Sequence, residues 1–285
     1  MDKRLIIGVS LGFSGIEAIL CDGDFNILER QNKEYPGKVG KDSIIVRLAK
    51  TITSLADYHR AFAVGVALPA TYDKESKKIL SSSIEDLEGV DFFQLLSKKI
   101  DKPIFTFRRN TSLMLAEQAF GAASDYKNAV LVEIGRDISL SMLINGKIHR
   151  GNTDMEGQIG EMIVDITREK RNESGSFGSL VSGEGIETLT GKSVYEVLKN
   201  APDSELISKQ IIRDLKESLL TGLYNVKLII DPEAFIICGD ILENYKLFQP
   251  AFENLKVVVK KSELGKTAAA LGAVVATYNQ INKKI

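Results

Sequence analysis

A glycine turn between two apolar runs is the first place in this chain where phosphate chemistry could occur. The stretch from Glu133 to Gly151 reads "EIGRDISLSMLINGKIHRG", a pattern of strand, tight turn, strand, Asn-Gly turn and strand. Backbone N–H groups of a glycine-rich turn can cradle phosphate oxygens. Here Gly135 is followed by Arg136 and Asp137, which puts a carboxylate where an anion would approach. The residues leave two interpretations open, a phosphate loop that relies on Arg136 or a plain turn.

A second stretch, "FRRNTS" at 107–112, joins an apolar run to an amphipathic one and carries two adjacent cations. A guanidinium stays protonated at any working pH, so Arg108 and Arg109 can donate hydrogen bonds but cannot accept a proton. The stretch contains no carboxylate. Arg108 and Arg109 would favour an anionic ligand over a neutral one.

Composition excludes several classes of protein. The 285 residues include 37 basic and 38 acidic side chains, a balance that gives no global attraction to nucleic acid or anionic membrane. No apolar segment reaches about 18 residues, and the first residues do not resemble a signal peptide. The two cysteines, Cys21 and Cys238, lie in apolar runs and are predicted to be buried free thiols. We expect a cytoplasmic protein without a membrane-bound part.

The strands that must position these stretches occur as a repeated plan. Residues 4–34 and 128–150 each read strand, glycine turn, strand, turn pair, strand. Eleven residues separate Gly12 from Gly23, and 11 separate Gly135 from Gly146. The Asp-Gly and Asn-Gly pairs that close these hairpins favour type I′ turns, in which both central residues have positive φ. The matched spacing favours an internal duplication over coincidence.

Helices and buried strands alternate through the rest of the chain, which predicts mostly parallel sheets in an α/β protein. "RAFAVGVALP" and "AFIIC" read as buried strands, and "NTSLMLAEQAFGA" reads as a helix with Asn110 or Thr111 as its cap. "SGEGIE" reads as a helix start. Residues 167–178, "TREKRNESGSFG", are predicted to form a polar loop.

Five segments together resemble the ROK family of sugar kinases and sugar-responsive repressors, within the actin-like superfamily. They are "GVALPATYD", "LINGKIHRG", "EGQIGEM", "IIDPEAFIICGD" and "SELGKTAAALGA", which occur in order over nearly the whole chain. The resemblance implies two ribonuclease-H-like domains, residues 1–118 with 268–285 and residues 119–267. It also implies a cleft between them that holds sugar and nucleotide, and a homodimer.

The resemblance also indicates which positions should do the chemistry of a kinase. The family's general base, an Asp, falls on Arg109, and the Asn that grips the sugar falls on Arg108 or Thr111. The Asp that organises metal and phosphates falls on Ser10, before Gly12. A serine hydroxyl lacks the anionic oxygen that Mg²⁺ prefers. These positions predict that no phosphoryl transfer takes place here.

The positions where the resemblance places nucleotide-binding glycines also lack the residues of a kinase. The family's glycine-rich phosphate loop falls on Gly135, Arg136 and Asp137, and its later run of three glycines falls on Cys238, Gly239 and Asp240. Compared with the family, each place gains a negative charge, from Asp137 in the first and from Asp240 in the second. With the resemblance considered, we predict that the turn at Gly135 is a plain turn rather than a phosphate loop.

The sugar and zinc positions differ from the family as well. The family's sugar-binding Glu falls on Gln158, which can still hydrogen-bond hydroxyl groups, and its zinc-binding His falls on Glu161. The three zinc cysteines fall on Asn172, Ser174 and Ser179. Structural zinc needs thiolate or imidazole ligands. We therefore predict no metal and a looser loop at 167–178.

The leading hypothesis is a non-catalytic ROK protein that responds to a sugar or phosphosugar. Arg108, Arg109, Thr111, Gln158 and Glu161 would line its ligand site, which could take a small carbohydrate or an anionic sugar. One alternative is an ATP-dependent, glucokinase-like sugar kinase with relocated catalytic residues, which alone would require ATP and Mg²⁺. Another is a dimeric scaffold. Many repressors of the family carry a DNA-binding segment before the first strand; here that strand begins near Met1, so we expect no direct contact with nucleic acid.

Overall fold

The computed structural model describes residues 4–13, 15–35, 40–73, 76, 78–171, 173–193, 196–197, 206–240 and 245–283. The chain divides into two compact units. Unit 1 comprises Met1–Ser124, Arg150–Met155 and Leu264–Ile285, and unit 2 comprises Asp125–His149 and Glu156–Glu263. Each unit is built around a mixed five-stranded sheet, which confirms the predicted α/β class.

The strands of unit 1 are β1 Leu5–Leu11, β2 Gly15–Cys21, β3 Ile27–Glu34, β4 Ala61–Leu68, β5 Ala70–Tyr72, β6 Ile79–Ser82 and β7 Ile104–Arg108. Its five-stranded sheet has the order β3-β2-β1-β4-β7. The first three strands are antiparallel, and β4 and β7 then add parallel to β1. A separate hairpin pairs β5 with β6.

Four α-helices are described in unit 1. They are α1 Lys41–Thr53, α2 Phe92–Ser97, α3 Arg109–Phe120 and α9 Ala268–Lys283, and short 3₁₀ turns lie at Tyr58–Arg60, Glu85–Leu87 and Gly265–Thr267. Ile44, Leu48 and Ile52 form the apolar face of α1 and are fully buried. The predicted cap of α3 is wrong, because the helix begins at Arg109 with Arg108 in extended conformation before it. Asn110 lies inside the first turn, where its Oδ1 accepts from the Thr111 amide at 2.7 Å.

Helix α9 packs unusually closely on the sheet and on α3. A Cβ on Gly8 of β1 would lie 2.1 Å from the Ala270 carbonyl oxygen, and one on Gly272 would lie 1.7 Å from the Ser112 carbonyl oxygen. Real Cβ atoms do not come this close to backbone. Glycine at both positions therefore lets the C-terminal helix approach the first strand and the start of α3.

The strands of unit 2 are β8 Ala129–Ile134, β9 Ile138–Ile144, β10 Lys147–Ile148, β11 Ala234–Cys238 and β12 Val258–Lys261. Their sheet repeats the plan of unit 1, with the order β10-β9-β8-β11-β12. Strands β8, β9 and β10 are antiparallel, and β11 and β12 add parallel to β8. The repeated strand plan predicted from the sequence is thus present as a repeated topology.

The two hairpin turns differ in backbone conformation. Asn145 and Gly146 have φ of 51° and 76°, which agrees with the predicted I′ turn. In the other copy the positive φ described belongs to Phe25, at 64°. The Asp22 carboxylate accepts from the amides of Asp24 and Asn26 at 3.0 and 2.9 Å, so the loop is organised by Asp22 and is longer than predicted.

Five α-helices of unit 2 have described bounds. They are α4 Ile166–Lys170, α5 Phe177–Val181, α6 Gly183–Thr190, α7 Leu206–Ile230 and α8 Tyr245–Glu253, with a 3₁₀ turn at Ile159–Glu161. In α7, Leu215, Leu219 and Leu223 recur every four residues and are buried in the core. Ser182 caps α6 by accepting from the Gly185 amide at 3.1 Å, so "SGEGIE" is indeed a helix start.

Both cysteines are buried free thiols, as predicted. Burial raises the pKa of Cys21 to about 12, so this thiol is not reactive at neutral pH. Among the described residues, no helix has the length and apolar character needed to cross a membrane.

Candidate functional site

The carboxyl end of β1 in unit 1 brings together two of the positions singled out from the sequence. Arg109 begins α3 directly after β7, and its Nη1 donates to Ser10 Oγ in β1. Ser10 is 5% exposed, so the contact lies at a nearly buried hydroxyl. A guanidinium thus contacts the serine that stands where the resemblance places a metal-organising carboxylate.

Arg108 is held from another part of the chain. Its Nη1 donates to the backbone oxygen of Asp154 at 2.7 Å. Asp154 belongs to the segment Arg150–Met155, which forms part of unit 1. Its φ of 56° is uncommon for a residue other than glycine. Asp154 could not be predicted from residue types, because this contact uses its backbone oxygen.

Thr111, the third predicted ligand-binding residue of unit 1, is only 4% exposed. It lies in the first turn of α3, next to the equally buried Asn110 and Ser112. Ser112 Oγ donates to the Arg108 carbonyl at 3.1 Å, a bond that closes the first turn from within. Arg109 is therefore attached to a helix start whose small polar side chains are buried.

The first glycine turn of unit 1 is closed by its own hydrogen bonds. The Gly12 amide donates to the Gly15 carbonyl at 2.8 Å, and Tyr35 Oη donates to the Gly12 carbonyl. Burial raises the pKa of Tyr35 to about 12, so the phenol remains a donor. The amide that a phosphate loop would offer at Gly12 is thus used within the turn. Tyr35 was not singled out from the sequence.

The second glycine turn, in unit 2, is also closed internally. The Gly135 amide donates to the Asp137 carbonyl at 3.0 Å, and the Ile138 amide donates to Asp137 Oδ1 at 2.6 Å. Asp137 therefore occupies as an acceptor the place that a phosphate oxygen would take. This geometry supports the interpretation of "GRDIS" as a plain turn.

Arg136 is bound by helix α6. Its Nη1 lies 2.8 Å from Glu187 Oε2 and its Nη2 lies 3.5 Å from Glu184 Oε1. The Gly183 amide also donates to the Gly135 carbonyl at 2.7 Å, which fixes the helix start against the turn. The guanidinium is therefore engaged by two carboxylates of its own chain. These two glutamates are further residues of the site that sequence reasoning missed.

The surroundings of Asp137 are acidic. Burial raises the pKa of Asp137, the amide of Ile138 opposes that rise, and the carboxylates of Glu184, Glu133 and Glu161 add to it. A second acid approaches the same turn, since Asp240 Oδ2 lies 3.6 Å from the position that a Cβ on Gly135 would take. A triphosphate placed against this turn would meet like charge.

Other predicted positions of unit 2 have structural roles that explain their residue types. Gly239 has φ of 92°, and a Cβ there would lie 2.4 Å from the Ile134 carbonyl oxygen. Gln158 precedes the 3₁₀ turn Ile159–Glu161, which passes close to Ile138 and Asp137 at Gly160. The structure thus brings Gln158 and Glu161 to the same turn as Asp137.

Two of the four positions where the resemblance places zinc ligands, Ser174 and Ser179, hold hydroxyl groups. Ser174 Oγ lies 3.2 Å from Ser176 Oγ, and Ser179 Oγ contacts the carbonyls of Ser174 and Ser176 at 3.1 and 2.8 Å. Asn172 lies outside the described residues. Within the described ranges, no group of three or more His, Cys, Asp or Glu side chains is placed to hold a metal ion. The donor set here does not fit structural zinc.

The prediction that 167–178 is a plain loop is wrong in part, because the segment contains most of α4 and the start of α5. Asp165 caps α4 by accepting from the amides of Thr167 and Arg168 at 2.9 and 3.1 Å. Glu169 Oε1 accepts from the Gly175 amide at 2.6 Å. Bonds from the side chains of Asp165 and Glu169 to backbone amides therefore hold this segment in a helical conformation that the sequence pattern did not predict. The expectation that the segment is loose stays a prediction.

A model of the ROK family matches residues 6–278. The chain belongs to the ROK family. The xylose repressor of Bacillus spizizenii is 23% identical over 290 residues, which cover 93% of this chain and 75% of the repressor. The glucokinase of Thermotoga maritima is 26% identical over 166 residues, which cover 58% of this chain and 52% of that protein.

The crystal structure of a ROK hexokinase from Thermus thermophilus superposes with a TM-score of 0.80. It is 18% identical and matches 98% of this chain and 100% of its own. This likeness confirms the predicted actin-like fold. The ROK family includes both repressors and kinases, so membership alone leaves the role of this chain to the residues of its site.

Proposed function

We propose that this ROK protein is a non-catalytic regulator that binds a small carbohydrate ligand. The observation that carries the proposal is the contact between Arg109 and Ser10 at the carboxyl end of β1. In the resemblance these two positions belong to the general base and to a carboxylate that organises metal. Here they form a cation–hydroxyl pair.

The chemistry of the pair opposes phosphoryl transfer. A sugar hydroxyl must lose its proton as it attacks phosphorus, and a guanidinium cannot take that proton. A positioned base contributes about 10²–10⁴ to the rate. A cation at this place also repels Mg²⁺, for which Ser10 supplies only a neutral oxygen.

The turn at Gly135 supports the same conclusion from the nucleotide side. Its amides at Gly135 and Ile138 are bonded within the turn, and Arg136 is bound by Glu187 and Glu184. Phosphate recognition depends on amides and cations that are available to the ligand. We therefore expect ATP and Mg²⁺ to play no part in the function.

One observation favours the competing hypothesis of a kinase with relocated residues. The raised pKa of Asp137 is a property that general bases often have. Its Oδ1, however, already accepts from the Ile138 amide at 2.6 Å, and acidic side chains surround it. These contacts are those of a structural carboxylate, and for that reason we rank the kinase hypothesis second.

A coupled assay of ADP release tests the proposal. The intact protein is incubated with ATP, Mg²⁺ and a panel of hexoses, pentoses and amino sugars, with a ROK glucokinase as the positive control. We expect no turnover above the rate without protein. Sugar-dependent ADP release that disappears in Asp137→Asn would establish the kinase hypothesis instead.

A thermal-shift screen tests ligand binding separately from catalysis. We expect at least one sugar or sugar derivative to raise the melting temperature in a saturable way, because a ligand that binds only the folded state stabilises it. A screen without any shift would favour the hypothesis of a scaffold. We also propose a homodimer, which light scattering of the purified protein tests directly.

A further inference from the structure

We propose that Glu117 is a latch for the C-terminal helix α9, and that α9 opens from unit 1 as a local unit when this latch is broken. One buried carboxylate fastens the end of α3 to the segment that leads into α9. The inference goes beyond the proposed function, because it concerns how α9 is held in unit 1 and not which ligand the protein binds.

The first observation is the position of Glu117 and its two amide donors. Glu117 lies in the last turn of α3 and is 0% exposed. Its Oε2 accepts from the Ala122 amide at 2.8 Å, and its Oε1 accepts from the Leu264 amide at 3.2 Å. Two oxygens that both accept are the arrangement of an ionised carboxylate. Glu117 therefore joins the end of α3 to a residue that lies 147 positions further along the chain.

The second observation is the place of Leu264 in unit 1. The chain passes through unit 2 and resumes unit 1 at Leu264, which leads through the 3₁₀ turn Gly265–Thr267 into α9. Thr267 Oγ1 donates to Glu17 Oε1 at 3.0 Å, and Glu17 is 7% exposed. Both ends of the lead-in segment, residues 264–267, are thus bound by carboxylates that the fold buries.

The third observation is the room that Gly121 leaves for the latch. A Cβ on Gly121 would lie 2.2 Å from Glu117 Oε2 and 3.0 Å from its carboxyl carbon. The φ of Gly121 is −138°, outside the left-handed region that favours glycine. Contact with the carboxylate, and not backbone conformation, therefore excludes a larger residue at this position.

The sheet face that α9 covers carries both Ser10 and Cys21. Helix α9 contacts β1, β2 and β4, and it passes Gly8 so closely that a Cβ there would meet its backbone. Ser10 lies two residues after Gly8 in β1 and shares its face. Cys21 lies opposite Ile6 in the β1–β2 pair and so belongs to the same face. Its free thiol is 0% exposed, so opening of α9 uncovers Ser10 and this thiol together.

Labelling of the two native thiols with N-ethylmaleimide tests the inference in the intact protein. Mass spectrometry after digestion gives separate rates for Cys21, under α9, and for Cys238, in unit 2. Glutamine at position 117 keeps one acceptor oxygen but turns a donor toward the second amide. We expect Glu117→Gln to raise the labelling rate of Cys21 about tenfold or more, because a bond to a charged acceptor is lost. The rate of Cys238 should stay unchanged within about twofold, because the opening is local.

Two further variants separate the latch from a general loss of stability. Gly121→Ala leaves Glu117 in place, but its methyl group displaces the carboxylate from the amides, so labelling of Cys21 should rise as in Glu117→Gln. The matched control is Glu233→Gln in unit 2, because Glu233 Oε2 likewise accepts from two amides, at 2.9 and 2.7 Å. This control should leave Cys21 at the wild-type rate.

Hydrogen exchange of the same variants measures how much of the chain opens. Protection should fall about tenfold or more over residues 264–283 in Glu117→Gln and stay unchanged over α1, within about twofold. Circular dichroism establishes that each variant is folded.

Either of two results would overturn the inference. One is labelling of Cys21 at the wild-type rate in folded Glu117→Gln and folded Gly121→Ala. The other is an equal loss of protection in α1 and α9, which would show that the whole unit unfolds and that α9 does not open by itself. Neither result bears on the proposed function, which the release of ADP tests separately.

Discussion

Replacing Gly272 by alanine would test the close packing of α9 on the helix that carries Arg109. Two effects of opposite sign compete in this substitution. Alanine is the better helix former by about 1 kcal/mol in a helix interior, so propensity alone predicts a more stable protein. The new Cβ, however, would lie 1.7 Å from the carbonyl oxygen of Ser112 and 2.4 Å from its carbonyl carbon.

The size of the expected loss of stability follows from the atoms that the new methyl group would contact. An ordinary contact begins at 3.4 Å, so the helices would have to separate by more than an ångström. The obstacle is backbone and cannot move aside as a flexible side chain would. Overpacking in a core costs about 1–3 kcal/mol and occasionally more. Because the obstacle is backbone, we take the upper end of this range, about 3 kcal/mol, and subtraction of the gain of about 1 kcal/mol in propensity leaves a net loss of about 2 kcal/mol.

Urea unfolding followed by circular dichroism measures this loss. The control is Gly15→Ala in β2, where a Cβ would find its nearest atom at 3.4 Å, and there we expect a change below about 1 kcal/mol. In thermal melts a loss of 2 kcal/mol corresponds to a decrease of about 4–8 °C for a chain of this size. If Gly272→Ala were as stable as the wild type or more stable, with an unchanged denaturant dependence, the described packing of α9 would be wrong.

Two further predictions concern the turn at Gly135 and the serines Ser174 and Ser179, where the resemblance places zinc ligands. Asp137→Asn should stabilise the protein at neutral pH, because the amide oxygen can still accept from the Ile138 amide and the charge disfavoured by burial is gone. A carboxyl whose folded pKa is raised weakens the fold only where it is ionised. The advantage should therefore be full above the folded pKa of Asp137 and vanish as the pH falls to its unfolded value of 3.8, as urea titrations at several pH values will show. Overnight treatment with EDTA should leave the melting temperature unchanged within about 1 °C, since Ser174 and Ser179 offer hydroxyls in place of metal ligands; a clear decrease would reveal a metal site.

The sheets were predictable from the sequence because their signals are local. Alternating apolar runs, an Asn-Gly pair and buried strands such as "AFIIC" place both hairpins and both sets of parallel strands. Conformations determined by side-chain bonds were not predictable in this way. The loop after β2 depends on which amides the Asp22 carboxylate reaches, and α4 depends on a cap at Asp165. Residue types alone do not specify either geometry.

In the candidate site, too, residue types were predictive where the contacts between side chains were not. The types of Arg109 and Ser10 are enough to argue against a proton acceptor, and the structure adds that the two side chains touch. The engagement of Arg136 by Glu184 and Glu187 is a contact over about 50 residues of sequence, so no spacing rule could find it. Only the folded structure shows that Arg136 is bound by these two glutamates.

The position of α9 also determines the order in which the chain can mature during translation. Unit 2 is formed by residues 125–149 and 156–263, all of which leave the ribosome before residue 268. Strands β1 and β4 of unit 1 are made early, yet the helix that covers them is made about 200 residues after β4. Newly synthesised unit 1 therefore keeps an apolar sheet face uncovered until residues 268–283 have been made, and transiently exposed apolar surface of this kind is prone to aggregation.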